Sequence, residues 1–141
     1  MNVQTLFEGE NIKKLLPQRN PILMVDTLYS ADDVEGVAGL TVQDDNFFCE
    51  DGIFTEPGLI EHIAQSASAF VGYKALQSGA DTPVGYIGEV KKFRLMKLPE
   101  AGSRLVTRIH IMSEVMNITL FSAETTADGQ VVATCQMKLS V

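Results

Sequence analysis

Positive charge, cysteine and histidine are all scarce in this chain, and each scarcity excludes something. Eleven Lys and Arg stand against 18 Asp and Glu, a formal net charge of −7, which argues against a nucleic-acid binder. The two cysteines, Cys49 and Cys135, lack metal-ligand spacing; two reduced thiols are expected, one of them in the core. His62 and His110 are the only histidines and cannot complete a zinc site with that cysteine pattern, so no metal is expected. Apolar runs fall far short of a membrane span and are broken by charge, so no membrane association is expected. The acidic opening has no basic-then-apolar layout; the expectation is no signal peptide and a cytoplasmic location. Repeats, low-complexity segments and internal linkers are also missing.

What is present suits one α+β domain spanning residues 1–141, long enough to bury a core without staples. Glu56 to about Gln77 is predicted to be one long helix, apolar over most of its circumference. Ile60, Ile63, Ala64, Ala67, Phe70 and Val71 cover adjoining faces at helical spacing. Glu61, Gln65, Ser68 and Gly72 share a narrow polar stripe. A carboxylate on an otherwise buried helix needs a partner, a hydrogen bond or neutrality, so Glu61 is the first residue that requires a reason. Thr55 or Glu56 is the expected N-cap, Pro57 suits the first turn, and Gly79 the stop.

Before that helix the pattern predicts a short helix over 10–16, a strand over 22–29 and a second strand over 34–42, weakened by Gly36 and Gly39. A loop of about a dozen residues follows, from Gln43 to Thr55, carrying Phe47, Phe48, Ile53 and Phe54; that length inside a compact domain is often functional. After the helix, strands are predicted over 84–96, 104–115 and 118–126, with a hairpin at Asp128-Gly129. In the last strand Val131, Ala133, Cys135, Met137, Leu139 and Val141 alternate with Val132, Thr134, Gln136, Lys138 and Ser140, one face buried and one solvated. A lone apolar helix is hidden if a curved antiparallel sheet wraps it.

Four segments in order resemble the bacterial 3-hydroxyacyl-acyl-carrier-protein dehydratases. These are Leu15-Leu-Pro-Gln-Arg-Asn-Pro-Ile-Leu-Met-Val-Asp26; Phe47-Phe48 with Pro57-Gly58; Glu61-x-x-Ala64-Gln65; and Tyr86-Ile-Gly-Glu-Val-Lys-Lys-Phe-Arg94 with Pro99 and Gly102. The likeness runs from about Ile12 to Val141. It implies the hot-dog fold, a bent antiparallel sheet around one long helix, usually paired into dimers. One departure stands out. That family's loop carries Gly-His-Phe-Pro, and its histidine works with the helix carboxylate. Here Cys49-Glu-Asp-Gly-Ile-Phe-Thr-Glu-Pro-Gly58 is shorter and has no histidine. The same combination is similar to the dehydratase-like proteins of aryl-polyene and flexirubin pigment clusters.

The resemblance implies dehydration of a 3-hydroxyacyl thioester, as in fatty-acid or polyene biosynthesis, with no cofactor. Such a reaction needs a base, an acid and donors for the enolate oxygen. Glu61 is the candidate acid/base and Gln65, one turn on, its orienting partner. Gly58, Phe54 and His62 are candidate substrate-binding residues, with backbone amides near Gly58 receiving the thioester carbonyl. Successive helix residues point about 100° apart, so His62 does not inherit the missing histidine's place; Glu50 and Asp51 sit nearest to it. Lys91, Lys92, Arg94 and Lys97 form the densest positive cluster, an ordinary charged strand or a dock for an acidic carrier protein or coenzyme A phosphates. A homodimer or a pairing with a related hot-dog subunit is expected. The alternatives are a non-catalytic acyl-binding partner subunit and a hot-dog thioesterase.

Overall fold

Gln65 on the long helix and the chain just before the second strand decide much of the architecture, because a buried amide holds the two together. In the computed structural model, which describes residues 5–79 and 86–140, the elements run β1 (Phe7–Glu8), a 3-10 helix (Gly9–Lys14), β2 (Thr27–Ala31), β3 (Glu35–Thr41), β4 (Cys49–Glu50) and β5 (Ile53–Phe54). Then come α1 (Glu56–Gln77), β6 (Tyr86–Leu95), β7 (Arg104–Val115), β8 (Ile118–Ala127) and β9 (Gln130–Ser140). One antiparallel seven-stranded sheet has the order β1-β2-β3-β7-β8-β9-β6. Helix α1 packs against β2, β3, β7 and β9. This is the wrapped-helix arrangement the sequence implies.

The core joins Leu59, Ile63, Ala67 and Phe70 of α1 to Leu105, Ile109, Phe121, Ala133, Met137 and Leu139 of the sheet. Each Leu, Ile or Phe removed from water this fully contributes roughly 1.5–3 kcal/mol before conformational entropy is set against it. A second cluster joins Ile12, Leu15, Leu16, Val25 and Leu28 to Ala69 on another flank of the helix. Cys135 is the buried thiol, and burial pushes it up to about 11; Cys49 is half-buried.

Several boundaries and one face differ from expectation. The predicted strand over 22–29 exists only from Thr27, because the backbone before it bonds elsewhere: Met24 N–H donates to the Gln65 side chain at 2.6 Å and Ile22 O accepts from the same side chain at 2.8 Å. The first helix is a 3-10 turn ending at Lys14. The long loop contains the β4–β5 hairpin, turned by Asp51 and Gly52, both at positive φ. Gly36 does not weaken β3 so much as make it fit, since a Cβ there would lie 2.8 Å from the Phe70 ring. Alternation in β9 holds from Ala133 to Leu139 but is reversed at its start, with Val132 buried and Val131 exposed. A register shift between Thr125 and Thr126 of β8 explains the reversal. The expected strand residues Val84 and Gly85, and Val141, lie outside the described residues.

Candidate functional site

The first three turns of α1 gather the candidate residues. Thr55 occupies the N-cap, but its hydroxyl does not cap the helix; it donates to Phe48 O at 2.7 Å. Thr55 N–H donates to the same carbonyl at 3.0 Å, and Asn46 Oδ1 accepts from Phe48 N–H at 2.8 Å. The loop is therefore tied to the helix start. Gly58 is the contact point: a Cβ there would meet Phe48 Cβ at 2.5 Å and Phe54 Cε1 at 2.8 Å. Phe54 is fully buried beneath it, so in the single chain it is a wall of the fold with no exposed surface for a ligand.

The polar stripe on α1 divides into positioned and positioning groups. Gln65 is almost completely buried; its Nε2 donates to Ile22 O at 2.8 Å and to Glu61 Oε1 at 2.9 Å, and its Oε1 accepts from Met24 N–H. Every side-chain bond it forms is directed, which locks its orientation. Glu61 is half-buried and takes one of those bonds, leaving carboxylate capacity unused by Gln65. Further along, a Cβ at Gly72 would approach Leu15 O to 2.4 Å. Gln65 and Gly72 thus seat the 15–24 segment on the helix, while Glu61 keeps part of its surface open.

His62 corrects an expectation. It has no exposed surface, and both ring nitrogens are engaged inside the protein: Nδ1 with Met24 O at 2.7 Å and Nε2 with Thr107 Oγ1 at 2.8 Å. A carbonyl only accepts, so Nδ1 carries the proton and Nε2 accepts from Thr107, whose oxygen lies 2.6 Å from Thr125 Oγ1. Burial lowers its pKa to about 4, against the smaller opposing effect of the Met24 carbonyl. This is a neutral core histidine, not a substrate-binding one. His110 projects from the outer face of β7. Glu50 and Asp51 are exposed on the β4–β5 hairpin.

Beside the segment tethered by Gln65 lies a cleft of about 460 Å³, lined by Leu23, Met24, Asp26, Leu40, Asn46 and Phe47 among others. Asp26 at its edge forms an ion pair with Arg104 at 2.9 Å, and Arg104 also donates to Tyr29, Thr27 and Thr41. Sequence reasoning missed this network because its members lie on different strands. The positive cluster does not stay together. Lys92 and Arg94 line a hollow on the outer sheet face, Lys97 lines another with Pro99, Glu100 and Asp128, and Lys91 lies 3.8 Å from Glu89. Among the described residues, no group of three or more His, Cys, Asp or Glu could hold a metal, and no helix is long and apolar enough to cross a membrane.

Chemically, the helix start offers one carboxylate held in place, free first-turn amides and a packed aromatic wall. That suits proton transfer next to a carbonyl. Comparisons with known proteins agree. The model of the ApeP-like family, described as ApeP dehydratase, matches residues 10–141. The chain is 28% identical over 142 residues to the 3-hydroxyacyl-[acyl-carrier-protein] dehydratase FabZ of Pasteurella multocida (strain Pm70), covering 95% of this chain and 90% of that one. It is 30% identical over 130 residues to FabZ of Sinorhizobium fredii (strain NBRC 101917 / NGR234), covering 88% and 82%. Among solved structures it resembles a chain of the dehydratase heterocomplex ApeI:P from Xenorhabdus doucetiae, with a TM-score of 0.84, 19% identity and coverage of 92% and 89%. A hypothetical thioesterase protein from Streptococcus pneumoniae TIGR4, solved with coenzyme A, shares the fold at a TM-score of 0.64, 14% identity and coverage of 81% and 83%.

Proposed function

The chain belongs to the ApeP-like dehydratase family, and on that premise we propose that Glu61 is the proton-transferring group of a 3-hydroxyacyl-thioester dehydratase. The observation that carries this is the half-open Glu61 carboxyl, held by a Gln65 that is itself bonded to Ile22 and Met24. In the reaction a base removes the α-proton of the 3-hydroxyacyl group. Electrons move through the thioester enolate, whose oxygen is received by first-turn amides near Gly58. The C3–O bond then breaks as Glu61 delivers a proton to the leaving hydroxyl, giving the enoyl thioester and water. Gln65 acts as a positioning residue.

The base is proposed to come from a second hot-dog subunit. Neither histidine of this chain is placed to supply it: His62 is sealed in the core and His110 lies on the outer sheet face. ApeI:P from Xenorhabdus doucetiae is a dehydratase heterocomplex, one chain of which shares this fold, which supports a pairing of this kind over a self-sufficient homodimer. Of the four positive residues Lys91, Lys92, Arg94 and Lys97, the thioester's carrier, protein or coenzyme A, would be met by Lys92 and Arg94, which share one hollow.

Incubation with a 3-hydroxyacyl thioester, alone and with a co-purified hot-dog partner, tests the proposal by following enoyl formation. Turnover by the pair that disappears in Glu61→Gln supports it. Equal rates for wild type and Glu61→Gln within the active pair would leave this chain a non-catalytic acyl-binding subunit. Free-thiol release from acyl thioesters without enoyl product would make it a thioesterase.

A further inference from the structure

The outer face of the sheet, away from α1, carries a hollow of about 450 Å³ lined by residues of four adjacent strands: Lys92 and Arg94 on β6, Arg108 and His110 on β7, with β8 and β9 between. Its floor includes Ser122, Thr134 and Gln136, which can donate hydrogen bonds, and one carboxylate, Glu124 of β8. Three strand gaps separate the two banks, about 14 Å between backbones, and long side chains from both sides reach inward. The two banks are unequal. Arg108 is ion-paired with Glu35 and stands directly opposite Glu124 in register. Lys92 and Arg94 form no ion pair among the described residues, which is notable in a chain of net charge −7.

The backbone of β6 departs from regularity where these cations occur. Its register shifts between Lys91 and Arg94, and Lys92 has a φ of +51°. A lysine at positive φ is strained, and such positions occur where local structure imposes them. The bulge lets Phe93 pack on the core while Lys92 and Arg94 both line the outer hollow. Bulges re-aim side chains in this way.

We propose that this hollow binds a small organic molecule bearing two phosphate groups, of the nucleoside-bisphosphate class, one phosphate at Lys92/Arg94 and the other near Arg108/His110. Guanidinium groups match phosphate oxygens in pairs, the volume suits a nucleotide-sized ligand, and Ser122, Thr134 and Gln136 offer hydrogen bonds to the organic body, with Glu124 facing Arg108 across the strand pair. An acidic protein segment fits less well, because a run of carboxylates would have to pass both Glu35 beside Arg108 and Glu124 in the hollow, whereas two separated phosphates meet the cations at its two banks. The inference sharpens the docking role proposed for Lys92 and Arg94. It stands or falls separately from the assignment of Glu61, which lies on the helix side of the sheet.

Calorimetric titration of the full chain with adenosine 3′,5′-bisphosphate at low salt tests this, with inorganic phosphate and poly-glutamate as the other arms. Saturable binding of the bisphosphate is expected, stronger than that of inorganic phosphate. Arg94→Gln and Arg108→Gln should each weaken it roughly tenfold, the usual order for losing a charged hydrogen bond. Lys13→Gln and Glu61→Gln should leave it unchanged. Melting curves check that the variants fold; if Arg108→Gln is unstable for lack of its Glu35 pair, the double variant Lys92→Gln/Arg94→Gln decides. The proposal is overturned by absence of saturable binding, by equal weakening in Lys13→Gln, or by poly-glutamate binding in preference to the bisphosphate.

Discussion

Glu61 and His62 are neighbours in sequence and opposites in circumstance. His62 faces the sheet, has no exposed surface, and uses both ring nitrogens on Met24 and Thr107. Glu61 points about 100° away around the helix, remains half-buried, and accepts a bond from Gln65. One polar side chain is saturated by the fold and the other is presented by it. Chemistry needs the second kind, since a group whose hydrogen bonds are all spoken for cannot also meet a substrate. Burial alone therefore does not mark a functional residue; unused capacity in a fixed position does.

The sharpest way to break this comparison is to neutralise Glu61. Glu61→Gln keeps the shape and the contact with Gln65 but removes the proton-transferring group, so kcat in the active assembly should fall by about 10²–10⁴ with the melting temperature nearly unchanged. A rate loss under threefold would defeat the assignment. His62→Ala should do the reverse. It opens a core cavity and strips Met24 O and Thr107 of a partner, costing about 3 kcal/mol of stability, measured by chemical denaturation.

His62 also predicts a pH dependence. Its folded pKa is lowered to about 4 from 6.5, so the unfolded chain takes up the proton first as pH falls. Stability from the neutral ring is full above about pH 6.5 and is lost through the window down to about pH 4, a loss on the order of 3 kcal/mol. Denaturation at several pH values should show a shallower acid loss in His62→Ala; identical slopes would mean the ring is protonated inside the fold.

Gln65 links the two sides, and Gln65→Ala tests whether it only holds the fold. About 2 kcal/mol should be lost through the unpaired Met24 N–H and Ile22 O, and kcat should also fall about tenfold while KM holds, because Glu61 loses its orientation. A stability loss with unchanged kcat would reduce Gln65 to a structural residue. The smallest effect belongs to Thr55→Val. Losing the hydroxyl bond to Phe48 O should cost about 1 kcal/mol, read as a small drop in denaturation midpoint.

Much of this site could be read along the chain. Helix α1 ends at Gln77, and Gly79 has the left-handed φ expected of a stop. The polar stripe is real as well, though two of its members support packing: Gln65 and Gly72 meet the 15–24 segment, and Glu61 is presented by a positioning bond. Other features could not be read this way. Sequence spacing says that His62 and Glu61 diverge, but not which of them meets the sheet, since an all-round apolar helix has no marked outer side.

The amino-acid sequence by itself determined the α+β class, the buried helix, the strands β7 to β9 with the hairpin at Asp128-Gly129 and the prominence of Glu61, because each is a periodic or local signal carried by neighbouring residues. Tertiary structure alone decided where β2 begins, why Gly36 and Gly58 are glycines, that Val132 rather than Val131 turns inward, and that Lys92 and Arg94 share a hollow with Arg108 and His110. The physical reason is common to all four. Register shifts, close approaches and cross-strand neighbours depend on which distant segments meet, and one extra residue in a strand reverses every side chain beyond it.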